Sequence, residues 1–232
     1  MQETICRSKS SEPRQFRHLR CGPEAKLQLT VQSKLDDLFP RTVKPVWTGG
    51  SVPLGAGIPD IVRVVYEPEV AAIAGADGTM LAVLAYLRTV GKARRDTISL
   101  RLCKSDRAIG LLLAAMEAAS IVTEQNSSFV LEPKWRCVLP DVLCIEVKMA
   151  DWRRALSQAA RNRIFSNKSY IALPENVAAR IRDEDIVRHL GIGLIAVSEN
   201  DEVKIVRRPK SVRPRAWQYY YSLASMAAAE VI

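Results

Sequence analysis

The sequence predicts an α/β protein: a mixed sheet flanked by helices and interrupted midway by an inserted, mostly helical unit. Three observations carry this expectation. From residue 136 to 200, apolar runs of strand length alternate with amphipathic helical patterns, the arrangement that lays strands side by side under covering helices. A helix and two strand-like runs at residues 23–67 share that texture. Between them, residues 68–135 hold three helical patterns in succession and a short hairpin. With 48% apolar residues in 232, the chain has enough material for a sizeable core.

Taken in order, residues 1–22 are polar and basic without hydrophobic period, a tail or an arm suited to a phosphate backbone. Pro23 fits a first helical turn, and Leu27, Val31, Leu35 and Leu38 recur at helical spacing until Pro40 stops the helix. RTVKPVW reads as a strand, Gly49 and Gly50 as a turn, and GIPDIVRVVY as a second strand entered through Gly57 and Pro59. In the inserted unit, MLAVLAYLRTVG, DTISLRLC and SDRAIGLLLAAMEAASI read as helices, the last N-capped by Ser105, and VTEQNSSFVLEP as a hairpin. Three helices and a two-stranded wing are the order of a winged helix-turn-helix, whose third helix is the one offered to a major groove.

Beyond the insertion, CVLPDVLCIEVKM reads as a buried strand, DWRRALSQAARNRIF as a helix and SYIALP as a strand. A polar helix from Val177 to Leu190 and a strand GIGLIAVS complete the alternation. Residues 201–232 place Arg207, Arg208, Lys210, Arg213 and Arg215 near Trp217 and three tyrosines. That composition suits phosphate contact with some base stacking, or equally a dimer-forming tail.

Thirty-four Lys and Arg against twenty-five Asp and Glu give a net charge of +9, which favours a polyanionic partner such as nucleic acid. The five cysteines are odd in number and form no C-x-x-C pair, so neither a disulfide framework nor a zinc site is expected. Charges break every apolar run well short of membrane-spanning length, and the basic N-terminus lacks the apolar centre of a signal peptide. A reducing cytoplasm is the expected location. His18 and His189 have no neighbour in sequence that suggests catalysis or metal binding.

The residues that suggest chemistry are Glu146 and Lys148, at the end of an apolar strand. Positions two apart on a strand share a face, so two charges project together from an otherwise buried element. Buried charges are costly unless paired or bound to metal. A second carboxylate is available from Asp60 in GIPDIV, and two carboxylates close together suit a hard divalent cation. A lysine beside them suits orientation or deprotonation of an attacking water and stabilisation of charge on a phosphate.

The succession GIPDIV, IEVK, a helix bearing Gln158 and SYIALP resembles the restriction-endonuclease-like superfamily, the PD-(D/E)XK nucleases, over about residues 24–67 and 136–198. The resemblance implies a restriction-endonuclease-like mixed sheet with a winged-helix insertion. It implies Asp60 and Glu146 as ligands of Mg²⁺ or Mn²⁺, Lys148 as the catalytic lysine, Gln158 facing the site and Glu24 as the acid of the first helix. Asp36 and Asp37 compete with Glu24 for the last role. The implied activity is hydrolysis of DNA phosphodiester bonds, and the implied assembly a homodimer. The chain departs from the family pattern in that 85 residues intervene between Asp60 and Glu146. Asp141 is therefore the rival for the motif aspartate, although five residues along a regular strand put it on the face opposite Glu146.

Candidate nucleic-acid contacts are Arg154 and Arg161, which share a helix side with Gln158, and Arg101, Lys104, Ser105 and Arg107 around the start of the third inserted helix. Arg207 and Arg208 extend the set. The alternative to a nuclease is a catalytically inactive DNA-binding regulator, or a subunit of a larger complex, that keeps the same fold.

Overall fold

A computed structural model of the chain describes residues 14–15, 21–40, 42–55 and 57–229. The expected α/β class is what it shows: a mixed sheet with helices on both faces. The N-terminal tail lies largely outside the described residues, which include from it only Cys21, Gly22 and a two-residue strand, β1 (Arg14–Gln15).

The chain then forms α1 (Pro23–Ser33), α2 (Leu35–Leu38), β2 (Val46–Gly50) and β3 (Ile61–Val65). Next come a 3-10 segment at Pro68–Ile73, α3 (Gly78–Val90), β4 (Lys92–Ala93), α4 (Arg95–Leu102), α5 (Asp106–Ala118), β5 (Val122–Gln125) and β6 (Ser128–Leu131). A second 3-10 segment at Pro133–Cys137 leads to β7 (Asp141–Val147), α6 (Trp152–Asn162) and β8 (Lys168–Pro174). The remainder is α7 (Glu175–Ile181), α8 (Asp185–Leu190), β9 (Gly193–Val197), β10 (Val203–Arg207) and α9 (Trp217–Ala228).

The large sheet runs β1-β2-β3-β7-β8-β9-β10, antiparallel from β2 to β7, parallel from β7 to β9, and antiparallel again at β10. Side-chain alternation divides its contacts. Ile61, Leu143, Ile145 and Val147 pack beneath Leu27, Val31 and Leu35 of α1 and α2. On the other face, Ile171 and Leu194 meet α6, α7 and α8, while Val62, Val64, Val142 and Cys144 meet residues 68–135 and α9. A smaller sheet, β4-β6-β5, lies within residues 68–135.

Four local expectations are corrected. The helix read from Pro23 to Pro40 is two helices, because Lys34 leaves helical geometry at φ −108° and ψ 7°. Gly49 and Gly50 are not a turn: they pair with Val62 and Ile61 inside the sheet, and the strand begins at Val46 rather than Arg41. Glycine is needed at 49 because a Cβ there would stand 2.6 Å from the Trp47 ring. The polar helix expected at 177–190 breaks between α7 and α8, where Arg182, Asp183 and Glu184 offer no apolar side chain to bury.

The fourth concerns the aromatic C-terminus. Rather than a tail with rings free to stack on bases, it is a helix docked against α3 and the first 3-10 segment. The Tyr220 hydroxyl accepts from the Leu139 N–H (2.7 Å) and donates to its carbonyl, and the Tyr221 hydroxyl donates to Trp135 O. Trp217 lies under the Arg88 guanidinium, 4.4 Å from ring centre to carbon. These rings are apolar material for the core, with each buried hydroxyl satisfied.

Candidate active site

Antiparallel pairing of β3 with β7 sets Ile61 opposite Ile145. One step further out, the same register brings Asp60, just before β3, to Glu146, the sixth residue of β7. Asp60 Oδ2 accepts from the Val147 N–H at 2.7 Å, which fixes its carboxylate against the neighbouring strand. Gln28, buried on α1, donates from its side chain to the Asp60 carbonyl at 2.7 Å and fixes the main chain behind it.

Lys148 follows β7 directly. Its N–H still bonds to Ala172 O of β8, and its ammonium turns to three oxygens: Glu24 Oε1 at 2.6 Å, the Val147 carbonyl at 2.7 Å and Asp60 Oδ2 at 3.7 Å. Glu24 reaches it from the first turn of α1, where Pro23 opens the helix. Asp36 and Asp37 do not share this place; Asp37 pairs with Lys34, and the charge of Asp36 acts on Arg63. The rival Asp141 sits at the opposite end of β7, bonded to Lys168 at 2.9 Å. Asp60, Glu146, Lys148 and Glu24 are thus brought together, and Asp141 is excluded from the group.

Glu146 is 1% exposed. Its Oε1 accepts from the Asn162 side chain at 2.7 Å, while Oε2 is buried with no hydrogen-bond partner. Gln158, one turn before Asn162 on α6, likewise has a buried Oε1 without a partner. Unsatisfied buried oxygens are rare and cost about 1–3 kcal/mol each, so Glu146 Oε2 calls for a donor or a cation.

Electrostatics follow from burial. Desolvation and the adjacent Asp60 charge push Glu146 up to about 8, against the pull of Asn162 and Lys148. Asp60 is also raised, chiefly by burial, with Lys148 and the Val147 N–H opposing. Burial alone would lower Lys148, but its hydrogen bond to Glu24 and the charges of Asp60, Glu24 and Glu146 outweigh this and raise it above its ordinary value. It therefore stays an ammonium.

This donor set fits a hard divalent cation. Among the described residues no group of three or more His, Cys, Asp or Glu side chains could by itself hold a metal. The acidic pair Asp60 and Glu146, with the free Oε2, instead suits a Mg²⁺-like ion that takes its other oxygens from water and phosphate.

The remaining sequence candidates are dispersed. Arg154 and Arg161 are exposed on α6. Arg101, Lys104 and Arg107 are exposed around the α4–α5 turn, and the Ser105 hydroxyl is committed to capping α5 through the Ala108 N–H. Arg207 is engaged with Arg182 O and lies 3.9 Å from Asp183, while Arg208 lines a cleft away from the acidic group. Sequence reasoning missed Gln28 and Asn162, which lie on the buried sides of α1 and α6 and differ from any other amide on a helix only by what they face. Comparison of the chain with family models, curated proteins and solved structures gives no match. Among the described residues no helix is long and apolar enough to cross a membrane.

Proposed function

We propose that the chain is a metal-dependent nuclease of the PD-(D/E)XK type, with a restriction-endonuclease-like core that hydrolyses DNA phosphodiester bonds. The observation that carries this reading is the meeting of Asp60, Glu146, Lys148 and Glu24 from three separate elements around a buried, unpartnered carboxylate oxygen. A salt bridge alone would account for Lys148 and Glu24, but not for two carboxyls pressed together under a β-strand.

In this reading Asp60 and Glu146 hold Mg²⁺ or Mn²⁺, which when bound supplies Lewis-acid stabilisation of the phosphate oxygens and lowers the pKa of water. The Val147 N–H and Asn162 orient the two carboxylates, and Gln28 fixes the chain that carries the first. Lys148, held charged by Glu24, donates to the phosphoryl oxygens as negative charge builds on them. Its raised pKa suits this role better than that of a base. The family resemblance assigns Gln158, whose Oε1 is buried without a partner, to the edge of the site.

DNA is the proposed substrate because the net charge is +9 and because α3, β4, α4, α5, β5 and β6 follow the order of a winged helix-turn-helix. Exposed Arg101, Lys104 and Arg107 would then meet phosphates. A second reading, that this unit engages protein within a larger complex, is favoured by Leu100 and Leu111, which are 79% and 67% exposed on α4 and α5. Homodimerisation and a cytoplasmic location belong to the proposal as well.

Incubation of labelled linear, supercoiled and branched DNA with purified protein and Mg²⁺ or Mn²⁺ tests both readings. Metal-dependent cutting that is lost in Asp60→Asn, Glu146→Gln and Lys148→Ala is the expected result. Salt-sensitive binding without cleavage in either metal would sink the nuclease and leave the regulator or subunit.

A further inference from the structure

At the other end of the sheet from the acidic group is a cleft of about 460 Å³ whose lining is basic. It opens where β3 ends and β7 and β8 begin, under the chain that leaves α2. Arg63 points into it from the middle of β3, on the face otherwise made of Ile61, Val65, Leu143 and Ile145. Arg63 as a residue is 5% exposed, and its guanidinium lies 5.8 Å from the centre of the Phe39 ring and has an Nε with no hydrogen-bond partner.

A cation in that position is expensive for a structural residue, since leucine or methionine would fill the same volume without desolvating a charge. Burial does lower the Arg63 pKa, with the charges of Asp36 and of Asp141, which lines the same cleft, opposing, but arginine remains charged in any ordinary buffer. Arg208, which follows β10, is exposed and lines the same cleft. Among the described residues neither arginine has a carboxylate at ion-pairing distance, whereas Lys168 is matched by Asp141 and Lys44 by Glu67. Two positive charges are left over, one of them buried, beside the Tyr170 side chain and an apolar wall of Phe39 and three prolines.

We propose that this cleft binds a phosphate monoester, of which a mononucleotide fits both the surplus charge and the volume. Two arginines match the two charges of a terminal phosphate and present forked donors to its oxygens. The cleft volume is within the roughly 300–1,000 Å³ typical of small-molecule sites, and the apolar wall suits the uncharged remainder of such a ligand. The inference does not depend on the nuclease reading, because no residue of the acidic group lines the cleft.

Calorimetric titration of the full chain with adenosine 5′-monophosphate, adenosine and inorganic phosphate tests it. The monophosphate is expected to bind, adenosine to show no measurable binding, and inorganic phosphate to compete with the monophosphate. Arg208→Gln should weaken the monophosphate about tenfold or more, as loss of a charged hydrogen bond does. Arg63→Met should abolish binding with an unchanged circular dichroism spectrum. Glu146→Gln should bind as the parent does, which separates this site from the acidic one. Comparison of 5′-phosphorylated with 5′-hydroxyl oligonucleotides then distinguishes a strand end from a free nucleotide as the source of the phosphate. Equal affinity for adenosine and its monophosphate, or parental affinity in Arg208→Gln, would overturn the proposal.

Discussion

Glu146 keeps its carboxyl group almost wholly buried, next to a second carboxyl and with one oxygen that receives no hydrogen bond, so its protonation bears on stability and, under the proposed function, on activity. Its folded pKa is raised to about 8 from an ordinary 4.5, and that of Asp60 is raised as well. Between those limits the folded protein holds protons that the unfolded chain has released. Stability of the metal-free protein should therefore be highest below about pH 4.5 as far as this pair is concerned, and fall as pH rises towards 8. Thermal melts across that window should show the decline, Mg²⁺ should reduce it at the alkaline end, and Glu146→Gln should flatten it. A pH-independent difference between parent and Glu146→Gln would refute the buried-acid account.

The same scale gives the kinetic expectation. Glu146→Gln, Asp60→Asn and Lys148→Ala should each lower the rate of DNA cleavage by about a hundredfold or more, the order seen when a charge-stabilising group is removed. Asn162→Ala should act differently, because it removes a donor and leaves Glu146 Oε1 as a second unpaired buried oxygen. It should destabilise the fold by about 1–3 kcal/mol and move the pH profile of cleavage upwards. Equilibrium denaturation and a pH–rate series separate these two effects.

At the scale of elements, α9 ties regions distant in sequence to one another. Tyr220 satisfies both main-chain groups of Leu139 just before β7, and Tyr221 satisfies the Trp135 carbonyl, so the C-terminal helix fixes the entry to the strand that carries Glu146 and leads into Lys148. Tyr220→Phe leaves a buried N–H and carbonyl without partners and should cost about 1–3 kcal/mol in urea denaturation. Tyr221→Phe, which strands only a carbonyl, should cost less. The close approaches of glycine work in the same way: a Cβ at Gly193 would lie 2.3 Å from the Tyr170 ring, so Gly193→Ala should force β9 and β8 apart and lower the melting temperature.

For the whole molecule, residues 68–135 share one continuous core with Val62, Val64, Val142, Cys144 and the buried face of α9. Excised alone, that segment would expose the apolar side of α3 to water and is expected not to fold, which the absence of a cooperative thermal transition would show. A segment that melts cooperatively by itself would mean that the shared core is dispensable. The distribution of charge makes a further expectation: DNA affinity should fall steeply with added salt, as counterion release requires, and Arg107→Ala should reduce the slope.

What the sequence by itself determined were features written in local pattern: the α/β alternation, the helices of the insertion, and the apolar strand ending in Glu146 and Lys148. It also held the parity argument against Asp141, since an odd spacing on a strand turns a side chain to the other face. Only the tertiary structure decided that Asp60 stands opposite Glu146 across 85 intervening residues, because strand register is fixed by packing of both sheet faces and not by the strand's own residues. For the same reason Glu24 could not be told from Asp36 or Asp37, Gln28 and Asn162 looked like ordinary helical amides, and the C-terminal tyrosines read as free rings. Each of these depends on a partner far away in the chain. Local sequence specifies which face a residue takes on its own element, whereas the fold specifies what that face meets.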